Sequence, residues 1–347
     1  MKISVIGLGH FGYAMFHHLD QKQAYDLWGN DKDQPDVDFL NTNFRPPRYF
    51  QNYPISRHPH FTTNYTELLD HCDVLIIAVV SSALPIIAKQ LQPVFHELQN
   101  HQQPLPVLVS LTKALSETAL TSTQILADHL ADFPQLQIAA LAGGTTAQDL
   151  IDGQPLGVSL AVPELSLAQP LKNIFESPTL QVQITLDLQG LQLASSLKNV
   201  VSIFAGLIAG QGYQYGVVTH TISLVAAEIE RLALDELGAH PQTFSIGSQC
   251  WGNDMFMSAT GQTRNRAFGE YLGSHPGLKY QTALRYFTEE LHQSVEGANT
   301  IKVLDYLFSS QHQPQLDLQK YPLLNYILHL AHHRARPADL LHILSQV

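Results

Sequence analysis
The sequence predicts an α/β fold, a doubly wound N-terminal domain built on a parallel sheet and followed by an all-helical C-terminal domain. Three observations carry this prediction. Short β-branched runs recur through the first half, helix-like segments separate them, and from about Leu188 the texture changes to long apolar stretches. Strands buried on both faces read as nearly continuous apolar runs, and their alternation with helices marks a parallel sheet with crossover connections.

The strand-like runs are 3–6, 25–28, 74–80, 106–110, 137–141 and 158–162. In the second half Leu193, Leu197, Val200, Val201, Phe204 and Ile208 recur at helical spacing. At 347 residues the chain exceeds the size at which one core usually stops growing, so two domains are expected, 1–187 and 188–347. Its 45% hydrophobic and 14% charged residues place it with globular proteins. A formal net charge of -11 disfavours nucleic acid and anionic membranes as partners, so a phosphate ligand must be held by a few placed cations.

The N-terminus reads as a strand rather than a signal peptide, because glycine interrupts its apolar run and no small-residue cleavage site follows. No integral membrane segment is expected, since no uncharged apolar run of about 18 residues lacks glycine or polar breaks. Cys72 and Cys250 stand in neither a metal nor a redox spacing, which fits a reducing cytoplasm. Among 18 histidines, the groups His17-His18, His58 with His60, and His329 with His332-His333 sit in exposed-looking segments, so no metal site is expected. The apolar helical half could support a homodimer.

Gly7-Leu8-Gly9-His10-Phe11-Gly12 follows the first strand and leads into a helix. In that context Gly7 permits a tight turn, Gly9 lets backbone approach a pyrophosphate, and Gly12 lets helix and strand pack closely. The helix N-terminus favours an anion, so the first domain is predicted to be a Rossmann-type NAD or NADP site. The second strand ends at Asn30-Asp31, where a ribose-recognising group is expected. Asp31 favours the free 2′-hydroxyl of NAD, whereas Asn30 leaves NADP open.

Between Asp187 and Glu228 the only Asp, Glu, Lys or Arg is Lys198. Burial disfavours an ammonium, which suits this amine to exchange a proton with a substrate oxygen; the alternative is a lysine that reaches out to solvent. Asn199 beside it can orient a ligand or the amine. Asp254 is alone between Glu236 and Arg264, either as a partner of Lys198 or as a helix cap. Thr263-Arg264-Asn265-Arg266 offers donors suited to a phosphate monoester, although by itself such a triplet is more simply a solvated loop.

Several segments in order resemble the NAD(P)-dependent glycerol-3-phosphate dehydrogenases of the soluble bacterial type. They are 25–31 and 73–79, Thr112-Lys113, Gly153-Gln154-Pro155, Asp187 to Gly190, Leu197 to Val200, Thr263 to Arg266 with Phe268-Gly269-Glu270, and Val295-Glu296-Gly297. The resemblance implies that Lys198 accepts the proton when sn-glycerol 3-phosphate is oxidised and donates it when dihydroxyacetone phosphate is reduced. It implies that Lys113 approaches substrate and cofactor, that Asp254 and Asn199 complete the polar site, and that Arg264 and Asn265 grip the phosphate of this three-carbon substrate. It further implies that Gly143, Thr145 and Thr263 touch substrate, while His10, Phe11, Ala147, Arg264 and Glu296 border the cofactor. This chain departs from the family at Gly144 and Thr146, which replace a proline and an aromatic and predict a looser loop, and at Trp251-Gly252-Asn253, which replaces Gly-Leu-Gly before Asp254. The rival readings are a dehydrogenase of another hydroxy or polyol-phosphate compound and a non-catalytic NAD(P)-binding sensor. Arg264-Asn265 favours phosphate, and the two lysines favour an enzyme.

Overall fold
Eight strands form one sheet in a computed structural model that describes residues 1–55, 59–312 and 316–346. They are β1 (Lys2–Ile6), β2 (Asp26–Asn30), β3 (His60–Thr62), β4 (Val74–Ile77), β5 (Val107–Ser110), β6 (Ile138–Ala142), β7 (Leu156–Ala161) and β8 (Leu180–Thr185). Their order across the sheet is β3-β2-β1-β4-β5-β6-β7-β8. Ile3, Val5, Ile76, Val109, Leu141 and Leu160 are buried, as expected of strands covered by helices on both faces.

Three features differ from the sequence expectation. β3 is only three residues long and pairs with β2 alone, too short to leave a periodic signal. β8 alternates apolar and polar residues, with Leu180 and Val182 buried, and lies at the other edge of the sheet. β7 runs antiparallel to β6, pairing Leu141 with Leu160. Its run is buried throughout from Gly157 onwards, and a two-sided apolar strand reads the same in either direction.

The chain divides into two units, Met1–Lys113 with Ser122–Leu188, and Ala114–Thr121 with Gln189–Val347. The sheet and its helices form the first unit. Helix His10–Gln21 and the following Lys22 hold the far end of helix Ala168–Phe175 in it. His18 Nε2 lies 2.7 Å from the Phe175 carbonyl, and Lys22 Nζ donates to the carbonyls of Asn173, Ile174 and Glu176 at 2.6–2.9 Å. A cation there satisfies the carbonyls that a helix C-terminus leaves without partners.

The second unit is helical. Its long helix Leu188–Gly210 is long and apolar enough by length and composition to cross a membrane. Of that apolar window 89% is buried inside the protein, as in a core helix. It packs against helix Arg264–Ser274 through paired glycines. A Cβ at Gly206 would lie 2.0 Å from the Arg266 carbonyl oxygen and one at Gly210 2.1 Å from that of Glu270. Reciprocally, a Cβ at Gly269 would lie 2.1 Å from the Ile203 oxygen and one at Gly273 2.2 Å from that of Leu207. The two backbones therefore touch, in parallel, over two turns, and this sets the spacing of the polar residues that precede the glycines on each helix.

Candidate functional site
In the first unit β1 ends in the glycine turn. Gly7 has φ +90, a conformation that favours glycine, and a Cβ at Gly12 would lie 1.9 Å from the Gly7 oxygen. A Cβ at Gly9 would meet nothing within 4 Å, and Gly9 provides no side chain to cap helix His10–Gln21. The turn thus presents backbone to an open space at a helix N-terminus, which fits a pyrophosphate. Among the described residues a cavity of about 210 Å³ adjoins it, lined by Gly9, Asp31, Asp33, Asp36, Arg48 and Tyr49.

Asn30 is buried and its side-chain amide donates to the Thr62 carbonyl at 2.8 Å, joining β2 to β3. Asp31 lines the cavity, and burial pushes its carboxyl above the usual carboxylate range. The carboxylate oxygens of Asp31, Asp33 and Asp36 come within 4.8 Å of one another, and Arg48 supplies a countercharge there. Three carboxylates this close can also hold a cation. His58 lies outside the described residues. His10 stacks on Tyr49 with ring centroids 4.3 Å apart, and the Tyr49 hydroxyl donates to the Leu8 carbonyl. Phe11 and Ala147 are half-buried against the apolar core.

Lys113 follows β5, and its amine donates to the Gly143 carbonyl at 2.8 Å, directly after β6. The Thr145 amide donates to the same carbonyl at 2.8 Å. The Thr145 hydroxyl is buried without a hydrogen-bond partner among the described residues, so it is available to a ligand. The loop is better anchored than its composition predicts. Thr146 caps helix Ala147–Ile151 by accepting from the Asp149 amide and donating to the Asp149 carboxylate at 2.6 Å.

In the second unit Lys198 is 6% exposed and Asp254 0%. The Lys198 amine lies 2.7 Å from Asp254 Oδ1 and donates to Ser258 Oγ at 2.6 Å. A π-helical turn, Gln249–Asn253, delivers Asp254 to the start of helix Asp254–Thr260, which also carries Ser258 one turn later. The Ser258 carbonyl accepts from Ser202 at 2.5 Å and from Thr263 at 2.8 Å. Ser258 escaped the sequence reading, although its i+4 spacing from Asp254 on one helix was a usable signal.

Asn265 donates to Asn199 Oδ1 at 2.9 Å and accepts from the Gly297 amide at 2.9 Å. Thr263 caps helix Arg264–Ser274. Arg264, half-exposed, donates to Ser294 Oγ at 2.7 Å and lies 3.9 Å from Glu296 Oε1. Arg266 turns away from this group to the Thr260 carbonyl. The structure therefore joins Lys198 with Asp254, Asn199 with Asn265, and Arg264 with Glu296 inside one unit. In the other it joins Lys113 with Gly143, and Gly9 with Asp31.

The family description "NAD-dependent glycerol-3-phosphate dehydrogenase N-terminus" matches residues 2–168, and the corresponding C-terminus matches 187–342. A glycerol-3-phosphate dehydrogenase (NAD(P)+) of Limosilactobacillus reuteri is 28% identical over 319 residues, covering 91% of this chain and 90% of that protein. One from Salinibacter ruber is 30% identical over 279 residues, covering 80% and 78%. Among solved structures, the glycerol-3-phosphate dehydrogenase of Coxiella burnetii has a TM-score of 0.79 at 21% identity, covering 99% of this chain and 98% of that one. At that identity the likeness is one of fold.

Proposed function
The chain belongs to the NAD-dependent glycerol-3-phosphate dehydrogenase family, and from that premise we propose how its own residues carry out the reaction. The protein is an oxidoreductase that interconverts sn-glycerol 3-phosphate and dihydroxyacetone phosphate with NAD or NADP. The nicotinamide supplies the hydride acceptor or donor at C4. Lys198 handles the proton: it takes the hydroxyl proton on oxidation and returns it to the carbonyl oxygen on reduction. The observation that carries this is the buried amine fixed between Asp254 and Ser258. A carboxylate at that distance supports the ammonium, so the resting pair is poised to protonate a ketone.

Residues 1–187 serve as the dinucleotide domain and 188–347 as the substrate domain. Lys113, with the Gly143 carbonyl and the Thr145 hydroxyl, which has no partner among the described residues, binds substrate and nicotinamide. Asn199 and Asn265 orient the substrate, and Arg264 holds its phosphate with Glu296 close by. Asp31 takes the ribose hydroxyls, which favours NAD over NADP. Both cysteines are buried free thiols, in keeping with a cytoplasmic location.

The test is the absorbance of NADH and NADPH with dihydroxyacetone phosphate and a panel of phosphate-free carbonyl compounds. Oxidation of NADH that requires the phosphate supports the reading. Equal turnover of the phosphate-free analogues would refute the assigned phosphate grip.

A further inference from the structure
We propose that Arg48, together with Asp33 and Asp36, decides the choice between NAD and NADP: the carboxylates occupy a guanidinium that lines the cavity where a 2′-phosphate would sit. The inference rests on the reading that the dinucleotide lies against the glycine turn. It concerns residues that the sequence did not single out.

The geometry is local to the first unit. The cavity beside Gly9 has Asp31 on its wall, the residue assigned to the ribose, and Arg48 and Tyr49 line the same space. Arg48 Nη2 lies 2.5 Å from Asp36 Oδ2 and 3.8 Å from Asp33 Oδ2. A guanidinium is the side chain best matched to a phosphate because its planar fork donates two parallel hydrogen bonds. Here that fork already faces carboxylates. Lys32 also lines the cavity, so three carboxylates face two cations and the space is anionic on balance. A ribose hydroxyl is welcome there, whereas a doubly charged phosphate meets Asp31, Asp33 and Asp36 together.

The same group contributes little to folding. The Arg48 side chain is 64% exposed, that of Asp33 48% and that of Asp36 21%, so solvent screens the Arg48 end of both pairs and their removal should cost the fold little. Asp33 precedes helix Gln34–Asn43 without a side-chain capping bond, so neutralising it costs the helix little.

The experiment measures binding of NADH, NADPH and 2′,5′-ADP to the full chain without substrate, by nicotinamide fluorescence and calorimetry. Asp33→Asn with Asp36→Asn should tighten NADPH and 2′,5′-ADP by about tenfold or more and leave NADH within about threefold, because a freed guanidinium replaces repulsion. The single change Asp36→Asn should give part of the gain. Adding Arg48→Ala to the pair should abolish it. Unchanged NADPH affinity with normal NADH binding overturns the selectivity role alone, as does a gain that survives loss of Arg48. If the unsubstituted chain binds neither dinucleotide, the cofactor reading falls and this inference with it.

Discussion
A single amine dominates at the scale of residues. Lys198 sits in a helix otherwise uncharged from Leu188 to Gly210, and its partners Asp254 and Ser258 come from a helix more than fifty residues later. Lys198→Ala should lower turnover by about 10²- to 10⁴-fold, the range for a positioned acid-base group, while NADH affinity stays near the unsubstituted value. Steady-state rates with dihydroxyacetone phosphate check this, and unchanged turnover would remove Lys198 from the mechanism. The residue was legible because an isolated charge in an apolar run is conspicuous. Its partner Ser258 carried a weaker signal, the i+4 spacing from Asp254 on one helix, because a serine bears no charge to set it apart from its neighbours.

His18 gives a second residue-scale expectation. Burial lowers its proton affinity from the usual value of 6.5, outweighing the Phe175 carbonyl, which accepts from Nε2 at 2.7 Å and by itself raises it. Because the folded pKa is depressed, this stabilisation is complete above the unfolded pKa and is lost as pH falls through the folded one. Urea midpoints should therefore drop on acidification below about 6.5, and His18→Gln should flatten that part of the profile. An identical slope in the variant would assign the acid sensitivity elsewhere.

Elements position these residues, and the closest fit is between helices Leu188–Gly210 and Arg264–Ser274. Gly206→Ala places a methyl 2.0 Å from the Arg266 oxygen, so the helices must separate. A loss of about 1–3 kcal/mol is expected from urea denaturation, the usual range for overpacking. Because Asn199 and Asn265 lie on the same two helices, their 2.9 Å bond should lengthen and the Michaelis constant for the phosphate substrate should rise. A variant as stable and active as the parent would show the contact to be slack. The spacing Gly206-x3-Gly210 and Gly269-x3-Gly273 was readable in the sequence as a close-packing signal, but the large apolar residues around it drew attention first.

Across the whole molecule, the alternation of apolar runs correctly indicated six of the strands, and the glycine turn was legible from its place after β1. Edge strands β3 and β8 escaped because one is short and the other half-polar, and strand direction at β7 escaped because burial pattern carries no polarity. Arg48 escaped for a different reason: its meaning lies in which carboxylates the fold sets beside it. A dinucleotide that binds only the native state should stabilise the protein by about 2.7 kcal/mol at a hundred times its dissociation constant. Thermal or urea unfolding with and without NADH measures this, and the absence of any shift would argue against the glycine-turn site.

Four glycines on two helices carry a consequence for how this protein can vary. Each stands where a carbonyl oxygen of the facing helix leaves no room for a methyl, so randomising codons 206, 210, 269 and 273 and selecting for growth should return one amino acid at each. Compensation would require simultaneous retreat of both backbones, which no single codon change provides. Lineages of this enzyme would then drift freely around that seam while the seam itself stays silent.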